Sequence, residues 1–285
     1  MNKKGFNTDN LHSDRADKPE HGVLHKPVHT SVAYGYEKAK HLAEVFQGKR
    51  QGYNYGRQLN PTVTSLQKRI TKMEAGLSSV GFSTGMAAIS STMLALLKTG
   101  DHVISSSFLF GNTNSFFETL RRLGIEVSFV DATQAKFVGE AIRENTKIVF
   151  TETIANPVTQ VADLEGIGQI CRNKDLIYIV DNTMTSPFLF QPKNVGASLV
   201  INSLTKYIGG HGNALGGMVT DTGIHKWDTF DNIIETYKSE KPELWGITQI
   251  KKKGLRDMGS SLGPEAAHHL AVGSETLSMR MERAS

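Results

Sequence analysis

The chain has 285 residues, 39% of them hydrophobic and 21% charged, which is ordinary globular composition with enough length to bury a core without disulfides or structural metal. Its formal charge is +4, but 32 basic residues are dispersed among 28 acidic ones. The longest basic run, Lys251-Lys252-Lys253, has no interleaved aromatic residue to stack bases, so nucleic acid is not an expected partner. The single cysteine, Cys171, excludes an internal disulfide framework. No apolar run approaches the roughly 18 residues of a membrane helix, and the polar MNKKGFNTDNLHSD has no signal-type apolar core, so a cytoplasmic protein without a membrane partner is expected.

Residues 1–54 show much Gly, Pro and His and little periodicity, which predicts an extended arm packed on something else, a neighbouring subunit by expectation. His21, His25 and His29 recur every four residues, but Gly22 and Pro27 between them break any helix that would align them as metal ligands. Regular structure begins at Asn60-Pro61-Thr62, a helix start followed by Leu66, Ile70 and Met73, with Gly76 as the stop. A second helix is predicted from Gly85 to about Gly100. The segments HVISS, EVSFVD, KIVFTET, LIYIVDNT and ASLVINSLTK then read as strands, with SFFETLRRLG and DLEGIGQICRNKD as helices among them. Continuous apolar strands separated by helices predict an α/β fold with a mostly parallel sheet covered on both faces, over residues 55–253. Residues 254–285 read as a long linking helix, with Leu270, Leu277 and Met281 on one face, leading into a smaller domain that is mostly absent.

Ligands of open parallel sheets bind beyond the carboxyl ends of the strands. Asp181 follows LIYIV, and Ser203, Thr205 and Lys206 follow SLVIN, ahead of the flexible Gly209-Gly210-His211-Gly212. Thr151, Glu152 and then Asn156-Pro157 follow KIVF, and Ser83-Thr84-Gly85-Met86 precedes the second helix. Singly, each has a bland explanation: a solvated lysine, a turn aspartate, a helix cap. Jointly they supply what one cofactor needs. A lysine beside hydroxyls can attack an aldehyde, a buried aspartate can keep a pyridine nitrogen protonated, and helix N-terminal amides can hold a phosphate.

These segments carry a resemblance over nearly the whole chain: YNYGRQLNPT (53–62), STGMAAI (83–89), ETIANP (152–157), VDNT (180–183) and SLTKYIGGHG (203–212), the last beginning 22 residues after Asp181. The chain resembles the Cys/Met-metabolism (transsulfuration) family of fold-type-I pyridoxal-phosphate (PLP) enzymes, the group of cystathionine γ-synthase, O-acylhomoserine sulfhydrylase and methionine γ-lyase. The resemblance implies that Lys206 carries pyridoxal 5'-phosphate as a Schiff base and shuttles protons. It implies that Asp181 pairs with the ring nitrogen, and that Gly85, Met86, Ser203 and Thr205 bind the phosphate. The resemblance also implies that Phe110 stacks on the ring and that Asn156 lies near the ring oxygen. It further implies that Tyr55 and Arg57 reach a neighbouring subunit's phosphate, in a homodimer or homotetramer with shared sites.

Phe110 stands where many relatives have tyrosine, and Asn112 where methionine γ-lyases have cysteine, which favours the sulfhydrylase branch. The implied activity is γ-replacement on an O-acylhomoserine with sulfide or cysteine. The alternatives are a γ-elimination lyase and a truncated, non-catalytic PLP-binding protein. The family's substrate-carboxylate arginine is expected beyond Ser285, so a polypeptide ending there is expected to bind the cofactor without turnover.

Overall fold

The computed structural model describes residues 5–14 and 20–285; residues 1–4 and 15–19 of the expected arm lie outside the described residues. In chain order come α1 (Phe6–His12), α2 (Ala39–Phe46), α3 (Pro61–Met73), β1 (Ser78–Phe82) and α4 (Gly85–Leu96). Then follow β2 (His102–Ser106), α5 (Gly111–Arg122), β3 (Glu126–Val130), α6 (Ala135–Glu140) and β4 (Thr146–Glu152). Next are α7 (Leu164–Asn173), β5 (Ile177–Asp181), the short α8 (Ser186–Leu189), β6 (Leu199–Ser203) and β7 (Gly217–Asp221). Last come α9 (Trp245–Gln249), a π-helix (Ile250–Asp257), α10 (Pro264–Ser274) and α11 (Leu277–Ala284).

The sheet is seven-stranded in the order β1-β7-β6-β5-β4-β2-β3, and only β7 runs against its neighbours. Period-two alternation within the apolar strands sends Ile177 and Ile179 to one face, with Ile89 and Met93 of α4 and Phe117 of α5. It sends Tyr178 and Val180 to the other, with Val138 of α6 and Ile167 and Cys171 of α7. Both faces are therefore covered, which is why these strands read as unbroken apolar runs.

Three sequence expectations need correction. Strands β1 and β7 were not foreseen: SSVGF and GMVTD each hold few apolar residues, and the pairing Val80–Val219 rather than local pattern fixes them. The ASLVINSLTK strand stops at Ser203, so Thr205 and Lys206 lie in the turn beyond it. The long helix of residues 263–285 is two helices, broken at Glu275-Thr276. Side chains take the carbonyls at the break, two from distant elements and one from α11 itself: Arg69 Nη1 binds Ala271 O at 2.7 Å, Asn10 Nδ2 binds Ser274 O at 2.7 Å, and Arg280 Nη2 binds Gly273 O at 2.9 Å. Leu270, Leu277 and Met281 do not await a partner; they are buried with Leu66 and Ile70 of α3 and with Leu204 and Ile208.

The same corner anchors the N-terminal segment. Arg69, 1% exposed, pairs with Asp14 at 3.0 Å, and Phe6 meets Phe188 edge-on with ring centroids 5.2 Å apart. Among the described residues, no helix is long and apolar enough to cross a membrane.

Candidate active site

Asn60 caps α3 through its side-chain oxygen, which accepts the Thr62 amide at 2.9 Å and the Val63 amide at 3.3 Å. That helix and β1 bring the chain to Thr84, whose Oγ1 accepts the Ala87 amide at 3.0 Å and starts α4. Gly85 and Met86, the first two residues of α4, have amides with no intrahelical acceptor. A Cβ at Gly85 would stand 2.8 Å from Ser203 Cβ, so glycine is what lets this helix end approach the end of β6.

The strand ends beside it are tied to one another. Asp181 Oδ1 accepts the Thr183 amide at 2.9 Å, and Thr183 Oγ1 accepts the Ser203 amide at 2.8 Å. Burial raises the Asp181 carboxyl above the ordinary aspartate range, against the lowering bonds from Thr183. Beyond Ser203, Thr205 Oγ1 accepts the Gly216 amide at 3.0 Å. The exposed Lys206 makes no side-chain hydrogen bond or ion pair among the described residues.

These groups open on one cavity of about 610 Å³, within the usual range for a small-molecule site. Eight of the ten residues singled out from sequence line it: Gly85, Met86, Phe110, Asn156, Asp181, Ser203, Thr205 and Lys206. Tyr55 and Arg57 do not. The Arg57 guanidinium instead lies 5.4 Å from the Tyr55 ring centroid and donates to the Arg256 carbonyl, while Ser261 Oγ donates to Arg57 O at 2.7 Å.

The cavity also holds residues that sequence reasoning left without a role. Glu152, at the end of β4, is 7% exposed, and its carboxyl is pushed up to about 7 by burial and then by the charge of Asp181. Arg280 comes from α11 and reaches the segment after Lys206: Nη1 donates to Tyr207 O at 2.6 Å and Nη2 to Ile208 O at 3.2 Å. No substrate-carboxylate arginine was expected in this chain, and Arg280 spends most of its donors on its own backbone. The strand-end position of Glu152 was a usable signal; Arg280 had none, because its partners beside the cavity, Tyr207 and Ile208, lie some 70 residues away.

The family model for "Cys/Met metabolism PLP-dependent enzyme" matches residues 7–285. The chain belongs to the Cys/Met metabolism family of PLP-dependent enzymes. It is 35% identical to an L-methionine gamma-lyase of Fusobacterium nucleatum, over 99% of this chain and 67% of that protein. It is 34% identical to the homocysteine/cysteine synthase of Saccharomyces cerevisiae, over 98% of this chain and 66% of the relative. A Campylobacter jejuni crystal structure assigned as an O-acetylhomoserine (thiol)-lyase superposes with a TM-score of 0.89 at 31% identity, over 99% of this chain and 73% of that one. That structure contains N'-pyridoxyl-lysine-5'-monophosphate.

The chain thus spans about two thirds of the length of these curated relatives. Its architecture is that of the fold-type-I PLP enzymes, and its cofactor class is pyridoxal phosphate. The residues present suit that group: an amine, a buried carboxylate, and a helix N-terminus made approachable by Gly85 converge on one cavity.

Proposed function

We propose that this transsulfuration-family protein catalyses γ-replacement, exchanging the acyloxy group of an O-acylated homoserine for sulfide or cysteine. The observation that carries the reading is the meeting of Lys206, Asp181 and the α4 N-terminus in one cavity. Bound there, pyridoxal phosphate supplies an electron sink for negative charge at the substrate Cα. Lys206 Nζ would hold the cofactor through its aldehyde carbon, and the same amine would move protons at substrate Cα and Cβ. The Asp181 carboxylate keeps the ring nitrogen protonated. The amides of Gly85 and Met86 and the Ser203 hydroxyl bind the phosphate, with Thr205 beside them. Phe110 would stack on the ring, and the Asn156 amide would lie near its oxygen; both residues line the cavity. Tyr55 and Arg57, outside their own chain's cavity, serve the phosphate of a neighbouring subunit in a dimer or tetramer.

Phe110 and Asn112, in place of the lyases' tyrosine and cysteine, support replacement. A second reading, γ-elimination, is supported by the 35% identity to an L-methionine gamma-lyase. Purified full-length protein, not a polypeptide ending at Ser285, given pyridoxal phosphate, sulfide and either O-acetyl- or O-succinylhomoserine decides between them. Homocysteine and the free acid without ammonia are expected. Ammonia with 2-oxobutanoate establishes elimination, and retained cofactor with no product establishes a binding protein without turnover.

A further inference from the structure

Two loops approach the cavity from adjacent strand ends. One follows β2 and delivers Phe110 at the start of α5; the other follows β4 and delivers Asn156. Neither residue holds itself in place. Phe110 is 42% exposed, and no side-chain cap closes the α5 N-terminus behind it. What joins the loops is a single carboxylate: Glu152 Oε1 accepts the Phe110 amide at 2.8 Å, and Oε2 accepts the Asn156 amide at 3.3 Å. Glu152 is nine-tenths buried and stands in register beside Asp181 on the next strand.

We infer that Glu152 is a positioning residue whose forked carboxylate fixes the main chain at Phe110 and Asn156 together, and so sets the two residues that flank the cofactor ring. The inference rests on the proposed reading of the cavity as the pyridoxal-phosphate site and adds to it a group that does not touch the reacting atoms. Its physical basis is preorganisation. A single buried carboxyl group that accepts from two backbone N–H groups ties two loops to one point. The phosphate end has its own supports, Gly85, Met86 and Ser203, none of which bonds to Glu152. Loss of Glu152 should therefore weaken what the ring contributes to binding and spare what the phosphate contributes.

The test compares two probes on ligand-free protein: inorganic phosphate, and pyridoxine 5'-phosphate, which has the ring but no aldehyde and so binds without Lys206. E152Q keeps side-chain volume and one acceptor while turning an N–H toward the other amide; E152A removes both acceptors. With circular dichroism unchanged, E152Q should lower the affinity for pyridoxine phosphate relative to phosphate by roughly tenfold to a hundredfold, the scale of one buried amide left unsatisfied. Hydrogen exchange at the Phe110 and Asn156 amides should speed up in the same variant. A purely structural role predicts instead an equal loss for both probes, and that result overturns the inference. So does ring-dependent binding that survives both substitutions with those amides still protected. If the unsubstituted protein binds pyridoxine phosphate no better than phosphate, the cofactor reading of the cavity falls, and this inference with it.

Discussion

Arg280 Nη1 donates to the carbonyl of Tyr207 at 2.6 Å, one residue after Lys206 in the chain. The same guanidinium binds Ile208 O, Gly273 O and Thr276 Oγ1, so α11 and the lysine-bearing turn are cross-linked through one side chain. The turn's shape depends on it further, since a Cβ at Gly210, where φ is +72°, would collide with the guanidinium.

Arg280→Ala is expected to free the backbone of residues 207–212. It leaves two carbonyls of the turn without donors, a change of about 1–3 kcal/mol if they are not resolvated. Hydrogen exchange of those amides should rise by roughly fivefold to a hundredfold on the same arithmetic, with a lower melting temperature. Arg280→Lys should recover only part, because one ammonium cannot reproduce a planar fork that spans three carbonyls. Unchanged exchange in Arg280→Ala would show that the turn holds itself.

Glu74 makes a second prediction possible. It is fully buried at the C-terminal end of α3, where Oε1 accepts from Asn182 Nδ2 at 3.1 Å and Asn202 Nδ2 at 2.7 Å while Oε2 has no hydrogen-bond partner among the described residues. Burial pushes its carboxyl up to about 7, against the lowering bonds from the two asparagines. A raised acid binds its proton more tightly in the folded chain, so its contribution to stability is complete below the unfolded value near 4.5. That contribution declines as pH rises, and is lost above about 7. Glu74→Gln copies the protonated acid. It should match the unsubstituted protein at pH 5 and exceed it at pH 8, by on the order of a few kcal/mol. Melting temperatures across that range check the sign; equal slopes in the two proteins would remove Glu74 from the account.

How much of this was legible beforehand follows from where each signal lies. Asp181, Ser203 and Lys206 could be grouped because parallel strands all deliver their carboxyl ends to one edge, and the apolar runs marked those ends. Glu152 was visible at such an end, yet its task is to bind amides 42 positions before it and 4 after, which no local pattern reveals. The break between α10 and α11 was invisible for a related reason. Residues 263–285 keep helical spacing, and Arg69 and Asn10, arriving from elsewhere in the fold, take carbonyls at the end of the first helix together with Arg280 of the second. β7 shows the limit for strands: two apolar residues, Met218 and Val219, cannot announce a strand that lies antiparallel between β1 and β6.

Lys206 gives the most direct chemical prediction. Its side chain lines the cavity with no hydrogen-bond or ion-pair partner among the described residues, so its amine is available to an aldehyde. Borohydride reduction of the cofactor-loaded protein, followed by peptide mapping, should find the pyridoxyl group on Lys206. A label on any other lysine would refute the assignment, and Lys206→Ala should leave no reducible adduct.

The last prediction concerns Tyr55 and Arg57, the two sequence-selected residues that the cavity does not include. Within its own chain Arg57 is held outward, against the Tyr55 ring and the carbonyl of Arg256 near the end of the π-helix. Tyr55 itself is 43% exposed, and the short Ala33–Tyr55 bridge ties this stretch to the preceding arm. A cation and a phenol displayed together on the surface suit an anion presented by another molecule. If that anion is the cofactor phosphate of a neighbouring subunit, each site needs residues from two chains. Arg57→Ala and Lys206→Ala should then each abolish turnover alone, by different routes. Mixed and allowed to exchange subunits, they should regain up to about a quarter of the activity of the unsubstituted protein, because random pairing in a dimer leaves that share of sites with both residues intact. Subunit exchange proven by mass spectrometry with no recovered activity would place Arg57 outside the shared site.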